Sequence, residues 1–155
     1  KKTEINWEQE TAKAESLGKS SCTNNDFGIY DDYYNTYVKP NLQKEKGISS
    51  KGSYLNSPEY DDLKFLLETA KKLNMKILFI SVPVNGAWYD YTGFPESDRQ
   101  QYYKKVKDLV TSYGFQIEDY SGSEHEKYFF CDVMHLGWKG WVKIDEAIDK
   151  FYHEN

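Results

Sequence analysis

Apolar residues are thinly spread over the first third of this chain and strongly periodic afterwards. From Thr3 to Lys19 only Ile5, Trp7, Ala12, Ala14 and Leu17 interrupt a polar run of good helix formers, which predicts a helix packed along one narrow stripe. Ser20 to Asn25 reads as a connector. The run Tyr30-Asp31-Asp32-Tyr33-Tyr34-Asn35-Thr36-Tyr37 sets tyrosines at helix-compatible spacings, bounded by Pro40. From there to Pro58 the chain is rich in Gly, Ser, Asn and Lys, and 47–57 is the stretch expected to be a mobile loop.

Beyond Ser57 the pattern sharpens. Ser57 can cap a helix, Pro58 suits its first position, and Leu63, Leu66, Leu67, Ala70 and Leu73 recur with helical period. Met75 to Val82 is a continuous apolar run with β-branched residues, the mark of a strand buried on both faces, and Pro83 stops it. A long connection over 85–93 follows. Ser97-x-x-Gln100 has the form of a capping box, and Tyr102, Tyr103, Val106, Leu109, Val110 and Tyr113 predict a helix ended by Gly114. Phe115 to Tyr120 reads as a second strand, Ser121 to Glu126 as a turn and Tyr128 to Cys131 as a short apolar extension. Lys139 to His153 predicts a closing helix with Trp141, Ile144, Ile148, Phe151 and Tyr152 on one face. Helices alternating with buried strands predict an α/β fold, three-layer α/β/α with a mostly parallel sheet and a right-handed crossover. Residues 1–56 form an N-terminal helical and tyrosine-rich region and 57–155 the α/β part, together one domain.

Charge and composition narrow the function. The formal net charge is −5, and Arg99 is the only arginine, which argues against a nucleic-acid binder built on guanidinium forks. No stretch approaches the roughly 20 apolar residues of a membrane span, the longest being Ile77 to Val84. The chain opens at Lys1 without methionine, so the lack of a leader is uninformative. Cys22 and Cys131 leave pairing open; Cys131, beside Tyr128-Phe129-Phe130, reads as a small buried hydrophobe. Gly18-Lys19-Ser20 is not a phosphate loop, since no strand precedes it and Lys13 stands where the first glycine belongs.

The candidate chemistry centres on Asp132-Val133-Met134-His135-Leu136-Gly137-Trp138-Lys139-Gly140-Trp141. An acid and an imidazole three residues apart can be aimed into one space, where the carboxylate fixes the ring tautomer and leaves the other nitrogen to take a proton from a hydroxyl. The plainer reading is an Asp cap beside a packed His. Gly137 and Gly140 permit close backbone approach, with Trp138 and Trp141 as apolar anchors. Ligands of open parallel sheets bind beyond the carboxyl ends of the strands. Asn85 and Gly86, after the first strand, and Asp132 to His135 therefore fall on one rim. Asn85 and the Gly86 amide are candidate oxyanion donors, or else a strand-ending turn. Trp88, Tyr89 and Tyr91 wall a substrate groove, or else pack. The tyrosines of 30–37 suit a sugar or polyol chain, or else cover a core edge. A metal held by Asp132, His135 and His125 lacks a tight His pair or Cys-x-x-Cys, so neither metal nor cofactor is expected, and His125 reads as a solvated loop residue.

The Asp132-to-Trp141 block, with Pro83-Val84-Asn85-Gly86-x-Trp88-Tyr89-Asp90-Tyr91-Thr92-Gly93, resembles the DltD family of D-alanyl-lipoteichoic acid biosynthesis, over most of the chain from about Ser57. The resemblance implies an SGNH-hydrolase-like (flavodoxin-like) fold in which Asp132 and His135 supply two members of a Ser-His-Asp triad. The family's nucleophilic Ser follows its first strand, an element not found here, so the chain reads as a C-terminal part. The resemblance further implies acyltransferase or thioesterase chemistry on D-alanyl groups, taken from a carrier protein or membrane acyltransferase partner and passed to lipoteichoic acid. The expected setting is the extracellular face of a Gram-positive cell membrane, with the parent membrane-anchored. The alternatives are a non-catalytic module binding teichoic acid or the D-alanyl carrier protein, and an SGNH esterase of another substrate class.

Overall fold

The structure is a computed structural model that describes residues 4–154. The expected helix start at Thr3 lies outside the described residues. Helix α1 (Trp7–Ser21) begins where the Asn6 side chain accepts the Gln9 N–H. A broken helical run over 31–45 follows: α2 (Asp31–Tyr33), a π turn (Tyr34–Val38), a 3-10 turn (Lys39–Asn41) and α3 (Leu42–Glu45). Next come α4 (Glu59–Lys72), β1 (Leu78–Ser81), α5 (Gly86–Thr92), α6 (Glu96–Ser112), β2 (Gln116–Asp119) and α7 (Trp138–Glu154).

This is an α/β fold. β1 and β2 pair in parallel, Leu78 opposite Gln116 through Ser81 opposite Asp119, with α5 and α6 in the crossover between them. α6 packs on both strands, α4 against α6, and α7 against β1 and, most extensively, α1. Among the described residues the sheet has only these two strands, and β1 is four residues long rather than spanning the whole run from Met75 to Val82 that suggested it. Met75 and Val82 at the ends of that run are exposed, and the strand is half-buried rather than covered on both faces. A run rich in Ile, Leu and Val reports burial only when both neighbours are present.

Other differences are local. Residues 85–93 are not an open loop: Asn85 caps α5 by accepting the Trp88 N–H, and Gly93 ends the helix at φ 81°, a left-handed conformation that a side chain disfavours. Ser97 does not cap α6, which begins at Glu96 after Pro95. The 47–57 segment is tied down rather than free, since Asp98 accepts the Ser53 hydroxyl at 2.6 Å and the Tyr54 N–H at 2.9 Å, while Gly47 and Ser49 donate to Tyr91 and Thr92. Trp138 and Trp141 are 53% and 54% exposed, so neither is the buried anchor expected, and Ile144 carries the buried side of α7. No helix of the described residues is long and apolar enough to cross a membrane.

Candidate active site

The loop from Phe129 to Gly137 folds back on itself and presents Asp132 and His135. Phe130 bridges Leu136 in antiparallel fashion, Cys131 N–H donates to the His135 carbonyl at 2.9 Å, and Gly137 N–H to the Phe129 carbonyl at 2.8 Å. Glycine is required at two points of this return. A Cβ on Gly137 would lie 2.7 Å from the Phe130 carbonyl oxygen, and one on Gly140 2.4 Å from that of Phe129, distances no real Cβ holds. The close approach expected of these glycines is therefore real, and it sets where α7 leaves the loop.

Within the loop Asp132 works twice. Its Oδ1 accepts the N–H groups of Met134 at 2.9 Å and His135 at 2.7 Å, closing an Asx-type turn. Its Oδ2 lies 2.7 Å from His135 Nδ1. Burial pushes the Asp132 carboxyl up, but the two amides and the imidazole together more than reverse this and hold it below the usual carboxylate range. An ionised carboxylate only accepts, so Nδ1 carries the hydrogen and Nε2 of the neutral ring presents its lone pair. The Asp132 side chain is 10% exposed and that of His135 73%. The orienting carboxylate is thus shielded while the ring faces solvent. The cap and the orienter, set against each other in the sequence, are the same residue.

Asn85 and Gly86 reach the same rim in a different role. Asn85 is buried; its Oδ1 caps α5 and its Nδ2 donates to the carbonyls of Phe27 at 2.9 Å and Asp132 at 3.2 Å. Its own N–H donates to Val133 and that of Gly86 to the Glu124 carbonyl at 2.8 Å. Every donor proposed for an oxyanion is engaged, because a buried amide leaves none unmade. Asn85 instead staples together the Asp132 loop, α5 and the segment around Phe27. Trp88 is chiefly core, buried against Ile29, Tyr34 and Val38 and edge-on to Phe27, with one edge on a cavity shared with Tyr89. Tyr91 joins that cluster and donates its hydroxyl to the Leu42 carbonyl. Tyr89 does line open space, beside Tyr54. Of the 30–37 tyrosines, Tyr34 is core and Tyr37 exposed, while Tyr30 accepts the Trp138 N–H at its hydroxyl.

His125 is solvent-exposed as expected, its side chain 52% accessible, but it is paired. Its Nε2 lies 2.8 Å from Asp90 Oδ2, and its ring packs where a Cβ on Gly86 would come within 2.6 Å. Behind it stands Arg99, 1% exposed, donating to Glu124 at 2.9 and 3.2 Å, to Asp90 Oδ1 at 2.8 Å and to the Phe94 carbonyl at 2.7 Å. Glu124 also receives the Tyr103 hydroxyl, which in turn accepts Val84 N–H. This network holds the end of β1. Reading the chain for acid and base missed it, although Arg99 shares the i, i+4, i+7 stripe of Tyr103 and Val106 and so points inward. His125 lies against Asp90, not Asp132, so the three metal ligands considered from sequence are not assembled as a set. Cys22 and Cys131 are both free thiols, each half-buried and pushed up to about 11, chiefly by burial.

Fold and rim place the chain among α/β proteins that carry an aspartate-held histidine beyond the carboxyl ends of parallel strands. A family model described as DltD protein matches residues 1–153. Proteins named Protein DltD are similar: that of Bacillus subtilis (strain 168) is 44% identical over 146 residues, 94% of this chain and 37% of that protein. That of Staphylococcus aureus (strain NCTC 8325 / PS 47) is 37% identical over 149 residues, 96% of this chain and 37% of that protein. That of Lacticaseibacillus rhamnosus is 37% identical over 139 residues, 89% and 33%. The chain belongs to the DltD family, and it spans about a third of the length of these relatives.

Proposed function

We propose that this chain supplies the histidine and aspartate of an acyl-transfer centre acting in the D-alanylation of lipoteichoic acid, with a serine from outside it as nucleophile. The observation that carries this is the 2.7 Å contact between a shielded, ionised Asp132 and the Nδ1 of a solvent-facing His135. Nε2 of His135 takes the proton of the serine hydroxyl as its oxygen attacks the D-alanyl carbonyl of an ester or thioester donor. The imidazolium, held by Asp132, returns that proton to the departing oxygen or sulfur. In the second half the acceptor hydroxyl loses its proton to Nε2, attacks the acyl-serine, and the serine oxygen regains the proton. The donor is a D-alanyl carrier protein or a membrane acyltransferase partner, and the reaction runs at the extracellular face of the membrane.

The test is His135→Ala and Asp132→Asn in the complete protein, read as D-alanyl ester formed on lipoteichoic acid. Turnover falls by about 10³–10⁴, the loss typical of a triad with its base removed or mis-tautomerised. His135→Ala leaves the thermal midpoint almost unmoved, because the ring is exposed. Unchanged transfer by a folded His135→Ala protein would assign this region to binding of teichoic acid or carrier instead.

A further inference from the structure

Beside the Asp132 loop, at the carboxyl end of β1, lies a cleft of about 280 Å³, at the lower end of the size of small-ligand sites. Its lining includes Tyr54, Glu59, Tyr89, Tyr102 and, on the side towards His135, Met134. No lysine or arginine lines it. Two properties of this lining point to one ligand chemistry.

The first is the arrangement of the rings. Tyr54 lies on Phe94, centroids 4.8 Å apart, and is inclined 59° to Tyr102 at 5.5 Å, so an aromatic cluster stands at the cleft wall. Asp98 fixes the Tyr54 backbone from below, so this wall is set before any ligand arrives. Angled aromatic faces attract a cation through the negative face of the ring, most strongly where water is partly excluded. The second is Glu59. Its carboxylate is exposed and has no hydrogen bond or ion pair among the described residues; its backbone N–H donates to Ser57 Oγ. Its charge is felt across the cleft, where it adds to burial in raising the Tyr102 phenol. An aromatic wall and an unpaired carboxylate, with no lysine or arginine in the lining, disfavour phosphate and favour an ammonium.

We propose that the cleft walled by Tyr54, Tyr89 and Tyr102 and closed by Glu59 is an ammonium subsite, which holds the α-amino group of the acyl unit whose carbonyl is presented to His135. Met134 connects the two. Its N–H is bonded to Asp132 Oδ1 and its flexible side chain lines the cleft, so an amino-acyl unit reaches from one to the other over a single residue. Cation binding stands on the cleft alone; that the cation belongs to the reacting acyl group rests on the transfer reading given above. On that reading the subsite selects amino-acyl over plain acyl donors.

The experiment compares D-alanine methyl ester with methyl propionate, the same skeleton without the amine, on the complete protein with labelled tyrosine rings, followed by NMR. It is run at about pH 6, below the roughly 8 at which an α-amino group loses its proton. D-Alanine methyl ester shifts the Tyr54, Tyr89 and Tyr102 resonances saturably, and methyl propionate does not. Glu59→Gln weakens binding about tenfold, and Tyr102→Leu, a change at the cleft wall, weakens it similarly; thermal melts establish that both variants are folded. His135→Ala binds D-alanine methyl ester like the native protein. Equal binding of methyl propionate, or native affinity in both Glu59→Gln and Tyr102→Leu, overturns the subsite. So does loss of binding in His135→Ala, which would put the amine at the imidazole. Native transfer by His135→Ala with ring shifts intact overturns the transfer reading but leaves the ammonium subsite standing.

Discussion

Replacing Arg99 by Met is the sharpest test of what holds the rim in place. The guanidinium is buried against Glu124, itself 3% exposed, and also serves Asp90 and the Phe94 carbonyl. Burial alone would lower its affinity for a proton, but Glu124 and Asp90 more than reverse this, so it is charged throughout. Met fills similar space and leaves Glu124 as a buried anion without its cation, a change that costs about 3–5 kcal/mol. Loss of the Phe94 bond adds about 1 kcal/mol, while Asp90, half exposed, is resolvated and adds little. For a chain of this size each kcal/mol moves the midpoint roughly 2–4 °C, so Arg99→Met lowers it by about 8–24 °C. Adding Glu124→Gln removes the stranded charge and keeps an acceptor for Tyr103. The double variant therefore recovers part of the loss, with a coupling of roughly 2 kcal/mol in a double-mutant cycle of urea unfolding. A shift under about 2 °C, or strict additivity, would show that Arg99 does not organise this corner. Because Glu124 also receives the Gly86 N–H, amide exchange at Gly86 in Arg99→Met rises along with the loss of stability.

Gly140→Ala forces a Cβ onto the Phe129 carbonyl and destabilises by about 1–3 kcal/mol, whereas Gly122→Ala, with open space around it, is neutral; equal midpoints for the two would refute the packing argument. Asp132 is held below the 3.8 of a free carboxyl, so its contribution is whole above about 4 and is lost as pH falls through the lower folded value. Asp132→Asn is accordingly less stable than native at neutral pH, and the two unfolding curves converge on acidification; parallel curves would contradict this. Both thiols, pushed up to about 11, react with iodoacetamide at neutral pH at least tenfold more slowly in the folded chain than after unfolding.

How far the sequence disclosed this arrangement depended on whether a residue's partner was close in the chain. Helix positions after Ser57 and the parallel pairing of β1 with β2 were legible because periodicity is local. So was the Asp132–His135 contact, three residues apart. For Asn85 the sequence leaves oxyanion donor and strand-ending turn open, because two of its side-chain partners, Phe27 and Asp132, lie far along the chain and nothing near Asn85 signals them. For Trp88 the sequence leaves wall and packing open, because an aromatic in a Gly-bounded stretch looks the same whether or not a cluster from 27–38 closes over it. Glu124 sits in Ser-Gly-Ser-Glu-His-Glu, which has every mark of a solvated turn, and only the fold brings Arg99 to it.

The same dependence on distant partners bears on the site itself. The carboxylate at Asp132 can orient an imidazole only if its loop is rigid to within a fraction of an ångström, and the loop alone, nine residues from Phe129 to Gly137, has too few internal bonds to be so. Its rigidity comes from outside. Asn85 holds the Asp132 carbonyl, Tyr30 N–H holds that of Cys131, and α7 packs on the Phe129 carbonyl at Gly140, which only glycine lets so close. Asn85 is in turn fixed by α5, whose first residue is held by Glu124 and packed by His125. The charged cluster around Arg99 thus bears on His135 through backbone rather than through its own field. It follows that changes at Arg99 or Asn85 should impair transfer by loosening geometry, with the pH profile of the residual activity kept, whereas a change at Asp132 should alter the profile itself.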